Sequence, residues 1–114
     1  MHCRKPPIAH RDLKPDNILM LSKDPDNLEI KISDFGFSCF FDPGEGLQQQ
    51  LGTLPYEAPE LVKAQPTKYN EKVDIWSIGI ITFMLVSGMI PFTAKSPTSL
   101  KQLILKKEPN YELP

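Results

Sequence analysis

A chain of 114 residues, 40% hydrophobic and 24% charged, has room for one modest core and reads as an ordinary soluble globular domain. Its net charge of -1 and the lack of any long like-charge block exclude an electrostatic surface for nucleic acid or for an anionic membrane. Two distant cysteines, Cys3 and Cys39, without metal-ligand spacing or a signal segment, are expected as free thiols in a reducing, cytoplasmic compartment. His2 and Cys3 lie near His10, but no second paired ligand set follows, so a zinc site is not expected.

Met1 to Ala9 is too short for a helix of its own, and Pro6-Pro7 would break one, so this stretch reads as a cut end. The polar run His10 to Asn17 leads into two segments of strand composition, Ile18 to Leu21 and Leu28 to Ile32. Ser22 to Asn27 between them has turn chemistry, which predicts a β-hairpin with Leu28, Ile30 and Ile32 on one face. Asp42 to Gly46 and Gln48-Gln49-Gln50 show no hydrophobic period and predict a mobile loop. Pro59 to Lys63 opens a short helix with proline in its first turn, and Pro66 closes the segment.

From Ile75 to Phe92 no residue is charged, at the lower edge of the roughly 20 residues that span a bilayer. Asp74 at its mouth, Ser77, Gly79, Thr82 and Ser87 within it and Pro91 near its end favour a buried core helix over a membrane anchor. Ser96 then caps a last helix begun by Pro97, with Leu100, Leu103 and Ile104 on one face and Lys101 and Lys106 toward another. Asn110 to Pro114 ends in the open. The twelve prolines fall mostly between the apolar segments, where they punctuate an ordered fold, and no internal repeat is present.

The hairpin carries the chemistry. Because it folds its outer ends together, Asn17 and Asp34 stand side by side, an amide oxygen and a carboxylate suited to one hard cation such as Mg²⁺. Asp12, brought near, is a candidate base. Each of these residues alone also reads as a plain loop or turn residue.

Five stretches in order give these residues a context: His10-Arg11-Asp12-Leu13-Lys14-Pro15-Asp16-Asn17, Asp34-Phe35-Gly36, Gly52-Thr53-Leu54-Pro55-Tyr56-Glu57-Ala58-Pro59-Glu60, Asp74-Ile75-Trp76-Ser77-Ile78-Gly79 and Gly88-Met89-Ile90-Pro91-Phe92. Together they resemble the catalytic domain of the eukaryotic protein kinases over nearly the whole chain. The resemblance implies an α+β fragment, the large lobe of such a domain over residues 1–114, mainly helical with one small hairpin. It implies ATP and Mg²⁺ as cofactors and a protein substrate with a serine or threonine acceptor, in signalling by phosphorylation.

Asp12 would then orient the acceptor hydroxyl and take its proton, Lys14 would meet the transferring phosphate, and Asn17 and Asp34 would ligate Mg²⁺. Phe35 would pack inward beside a flexible Gly36, and His10 would support the turn. Asp74 would accept hydrogen bonds from the backbone at His10 and Arg11. Lys14, together with Thr53 after Gly52, marks the serine/threonine class over the tyrosine class. Arg11 in such enzymes pairs with a phosphorylated loop residue, yet Ser38 is the sole hydroxyl from Phe37 to Leu51. Asp42 or Glu45 is therefore expected to pair with Arg11 without phosphorylation. The acidic loop and the Ser22 to Asn27 insertion look like the calcium/calmodulin-dependent group, which adds a regulatory protein or domain as a partner.

The Gly-rich loop, the strand lysine and its glutamate partner, which belong to the small lobe, are not found in these residues, nor are the final helices that would pair Glu60 with an arginine. A fragment of an active kinase and a non-catalytic interaction module derived from one both remain open, and neither is expected to turn over ATP as 114 residues alone.

Overall fold

The computed structural model describes residues 6–65, 67–107 and 109. The readings at His2, Cys3, Pro66 and Asn110 to Pro114 lie outside the described residues.

The hairpin forms with shorter strands than its composition predicts. β2, Ile18–Met20, pairs antiparallel with β3, Ile30–Ile32, in the register Ile18 with Ile32 and Met20 with Ile30. The turn between them is tied by its own side chains: Ser22 Oγ, Asp24 Oδ1 and Asn27 Oδ1 each accept from the backbone N-H two residues on. A second pair of strands was not legible in the sequence. β1, Ile8–Ala9, pairs with β4, Cys39–Phe40. At two residues each, such strands are too short to show alternation, and only the partner makes them visible.

Three helices follow. α1, Pro59–Val62, has proline at its first turn and buries Leu61 and Val62. α2, Lys72–Ser87, takes up most of the apolar run and ends on Gly88, whose φ of 74° is the left-handed cap that stops a helix. α3, Pro97–Lys106, starts where Ser96 Oγ accepts from Ser99 N at 3.2 Å, and it buries Leu100 and Ile104. No helix among the described residues is long and apolar enough to cross a membrane.

Two apolar clusters make the core. Ala9, Phe41, Leu47, Ala58, Leu61, Tyr69 and Val73 form one, and Val62, Ile80, Phe92, Leu100 and Ile104 the other. Trp76 packs against both, stacked on Phe92 with ring centroids 5.8 Å apart. α2 is not buried on every side: Val73, Ser77, Ile80 and Ile81 are covered while Ile75, Ile78, Leu85 and Val86 are exposed. Ile30 and Ile32 of the hairpin face the same uncovered side, and the groove between hairpin and α2 encloses about 690 Å³.

The expected mobile loop is tethered. Leu47 is buried and exchanges both backbone hydrogen bonds with Tyr69, at 2.8 and 2.9 Å. Asp42 to Glu45 before it forms a turn closed by Glu45 N donating to Asp42 O at 2.9 Å. One buried leucine amid polar residues has no period to announce it, which is why the tether escaped the sequence reading.

Candidate active site

The polar run His10 to Asn17 is held from three sides. Asp74, in the first turn of α2, accepts from His10 N at 2.8 Å and from Arg11 N at 2.9 Å, one bond to each carboxylate oxygen. Its place near a helix N-terminus favours the negative charge. The His10 ring lies against Ser33 O through Nε2 at 2.9 Å, and Asp12 N donates to His10 Nδ1 at 3.2 Å. Leu13 is buried beneath the run, and Arg11 turns the backbone with a φ of 71°, uncommon for a residue with a Cβ.

These restraints present Asp12 to Thr53. The Thr53 hydroxyl donates to Asp12 Oδ1 at 2.6 Å and accepts from Lys14 Nζ at 3.0 Å, while Lys14 Nζ stands 3.9 Å from Asp12 Oδ2. Gly52 lets the segment carrying Thr53 come this close. Its φ is 136°, and a Cβ there would sit 3.1 Å from Arg11 O.

Asn17 closes a 3-10 turn, Pro15–Asn17, and is buried. Its Nδ2 donates to Asp12 O at 2.7 Å, and Oδ1 accepts no hydrogen bond among the described residues. Ser33 N donates to Asn17 O at 2.8 Å, so the register sets Asp34 one residue beyond the partner of Asn17. Asp34 is exposed, with a φ of 58°, and accepts from Gly36 N at 3.2 Å. Asn17 Oδ1 and the Asp34 carboxylate, one of whose oxygens is engaged by Gly36 N, are hard donors of the kind that suit a small divalent cation.

Several expectations are corrected by the geometry. Phe35 does not pack inward: it is 56% exposed and rests edge-on against His10, centroids 5.1 Å apart. Gly36 stands close beside the Asp34 side chain. Its φ is not positive, and a Cβ there would meet Asp34 Oδ1 at 3.1 Å. Arg11 reaches neither Asp42 nor Glu45. Nε donates to Phe37 O at 2.5 Å, and Nη1 to Tyr69 Oη at 3.3 Å and Gln49 Oε1 at 3.4 Å. Asp42 Oδ1 instead accepts from Gly44 N at 2.8 Å, and exposed Glu45 only shares the border of a cavity with Arg11. Glu60 is half-buried in the first turn of α1 and forms no ion pair among the described residues.

Sequence reasoning missed Tyr69, Gln49, Ser77 and Glu57. The Tyr69 hydroxyl donates to Gln49 O, fastening the loop over Arg11. Ser77 Oγ joins α2 to the turn after Thr53 by donating to Tyr56 O at 2.8 Å. A serine at helical spacing from Val73 and Ile80 was a usable signal for the second contact; nothing local marks Tyr69. Glu57 is half-buried, and burial pushes its carboxyl above the ordinary value of 4.5; Lys101 pulls it back and Asp12 adds to the rise.

A carboxylate that already holds a hydroxyl, with a lysine on that same hydroxyl and the Asn17 amide tied to its backbone, can orient an alcohol and meet negative charge developing beside it. Residues 1–113 match the protein kinase domain family. The chain is 40% identical over 111 residues to the phosphorylase b kinase gamma catalytic chain, liver/testis isoform, of Homo sapiens, covering 94% of this chain and 26% of that one. It is 40% identical over 109 residues to calcium-dependent protein kinase 34 of Arabidopsis thaliana, covering 96% and 20%, and 42% identical over 104 residues to calcium-dependent protein kinase 17 of the same plant, covering 91% and 19%. The chain thus spans about a quarter or less of the length of these relatives. With residues 1–113 matched and the residues arranged as described, the chain belongs to the eukaryotic protein kinase domain family and is like its calcium-dependent members.

Proposed function

We propose that the chain is part of the large lobe of a protein serine/threonine kinase and carries the residues that transfer the γ-phosphoryl group of ATP to a protein hydroxyl. The observation that carries this reading is the Thr53 hydroxyl on Asp12, bonded at 2.6 Å, with Lys14 Nζ 3.0 Å from the same oxygen. Thr53 uses one carboxylate oxygen; the other, Oδ2, is left to take a substrate hydroxyl and its proton. Lys14 meets the charge on the transferring phosphate as a compact, mobile cation. Asn17 Oδ1 and the Asp34 carboxylate would hold Mg²⁺, which would supply charge neutralisation for the ATP phosphates. His10 and Asp74 position Asp12 through the backbone and do not transfer protons.

The small-lobe motifs that grip the nucleotide are not found among these residues, and the 114 residues alone are expected to be silent in turnover. Protein substrates are the partners, and the calcium-dependent names of two relatives support a regulatory protein or domain as a further one. The test is phosphate transfer from Mg-ATP to serine, threonine and tyrosine peptides by a product of the gene in which these residues are joined to a small lobe. Transfer to serine and threonine but not tyrosine, lost in Asp12→Asn, is expected. Transfer undiminished in Asp12→Asn would refute the assignment of the base, and a product with no transfer at all would favour the interaction-module alternative.

A further inference from the structure

The cavity beside Arg11 takes no part in the chemistry above. It encloses about 420 Å³, within the roughly 300–1,000 Å³ of pockets that hold small ligands, and Arg11, Cys39, Glu45, Gln48, Gln49 and Lys68 border it. The fold assembles this border from separate stretches of chain. The register of β1 with β4 sets Cys39 opposite Ala9, and Arg11, two residues on, donates to Phe37 O. The turn Asp42 to Gly46 supplies Glu45, and the exchange of hydrogen bonds between Leu47 and Tyr69 brings their neighbours Gln48 and Lys68 to the same place.

Arg11 is only 7% exposed, and its charge meets no anion. Its hydrogen bonds go to neutral oxygens, of Phe37, Tyr69 and Gln49; Nη2 has no acceptor, and no carboxylate stands at ion-pair distance, among the described residues. A buried charge in that state is costly, and an anion entering the cavity would relieve it. Lys68 and Glu45, both exposed, form no ion pair among the described residues either. The border thus offers a ligand two cations and one carboxylate. Cys39 adds a free, half-buried thiol, and partly exposed thiols beside cations are those that exchange with disulfides.

We propose that Cys39 is a modification site for a small disulfide whose halves each carry two carboxylates and one ammonium, the chemistry of glutathione disulfide. The carboxylates go to Arg11 and Lys68 and the ammonium to Glu45, so each charge on the border meets its opposite. The Cys39 thiolate attacks the nearer sulfur. A bond forms between that sulfur and Cys39 Sγ, the ligand's own sulfur-sulfur bond breaks, and the departing half leaves as a thiolate that takes up the proton Cys39 lost. Cys39 and one half end oxidised, as a mixed disulfide, and the other half ends reduced; a free thiol reverses the step. No step of phosphoryl transfer enters, so the proposal stands or falls apart from the kinase reading.

The test measures adduct formation on the folded 114-residue chain with glutathione disulfide, with neutral bis(hydroxyethyl) disulfide and with cationic cystamine. Each rate is divided by the rate of the same disulfide with the urea-unfolded chain, and mass spectrometry of the digested protein reads Cys39 apart from Cys3. After that division glutathione disulfide is expected to react at Cys39 about tenfold faster than the neutral disulfide, the low end of what a charged cleft gives, and cystamine more slowly than both. The preference should fall toward unity at high salt, and also in Lys68→Glu, a change at an exposed side chain. A normalised rate for glutathione disulfide no higher than for the neutral disulfide overturns the proposal, as does the absence of any adduct on Cys39 in the folded chain. A preference that salt leaves unchanged overturns it too, since its origin would then lie outside the charges of the cavity.

Discussion

Arg11 spends backbone strain at a φ of 71°, and the two bonds from Asp74 to His10 N and Arg11 N hold it there. Asp74→Ala leaves both donors unpaired in a partly buried position and should destabilise the fold by about 3 kcal/mol, read from the urea midpoint. Glu57 makes the reverse prediction with pH. Because its folded carboxyl is raised above 4.5, its protonated form contributes stability below that value, and this contribution is lost as pH rises through the raised value. Glu57→Gln should therefore be more stable than the unsubstituted chain near neutrality, with the difference shrinking in acid; thermal unfolding across that range measures it. At this scale the sequence was legible where the motif order implied a contact, as in the bonds from His10 N and Arg11 N to Asp74 and from Thr53 to Asp12. It was misleading at Arg11, whose neutral partners Gln49 and Tyr69 are 38 and 58 residues away. Charge complementarity pointed to Asp42 and Glu45, but the turn spends Asp42 on its own backbone.

α2 carries two glycines with opposite demands. Gly79 lies inside the helix, exposed, with nothing within 4 Å of a built Cβ, so Gly79→Ala should stabilise by about 1 kcal/mol through helix propensity. Gly88 also has open space, but its φ of 74° penalises any Cβ, and Gly88→Ala should cost about 1 kcal/mol. Chemical denaturation of the two variants should move the midpoint in opposite directions. The helices were legible because their punctuation is local: Pro59 and Pro97 in first turns, Ser96 as a cap, Gly88 at the end. The β1–β4 pair was not, since its stability comes from joining Ala9 to Phe41 in one core cluster across some thirty residues of chain.

Over the whole molecule the balance of covered and uncovered apolar surface is uneven. Ile30 and Ile32 are 52% and 47% exposed, and Leu85 and Val86 are 82% and 83% exposed. A soluble monomer rarely leaves such a surface contiguous. The purified chain should therefore bind a hydrophobic dye strongly and self-associate, and replacing Leu85 and Val86 together by lysine should reduce the association, seen by light scattering, without lowering the unfolding temperature. Length and composition assigned the run to a helix but could not say which sides of it find neighbours, because exposure is decided by elements elsewhere in the fold.

The exchange of hydrogen bonds between Leu47 and Tyr69 closes the chain between them into a circuit separate from the Asp42 to Gly46 turn, which Glu45 N and Gly46 N close on Asp42 O. A short circuit has less freedom to lose than a long one, so each holds its shape independently of the other. A protease cut at the Asp42 to Gly46 tip would thus leave the limb from Gln48 to Thr53 seated on Asp12. The nicked halves should travel together through gel filtration.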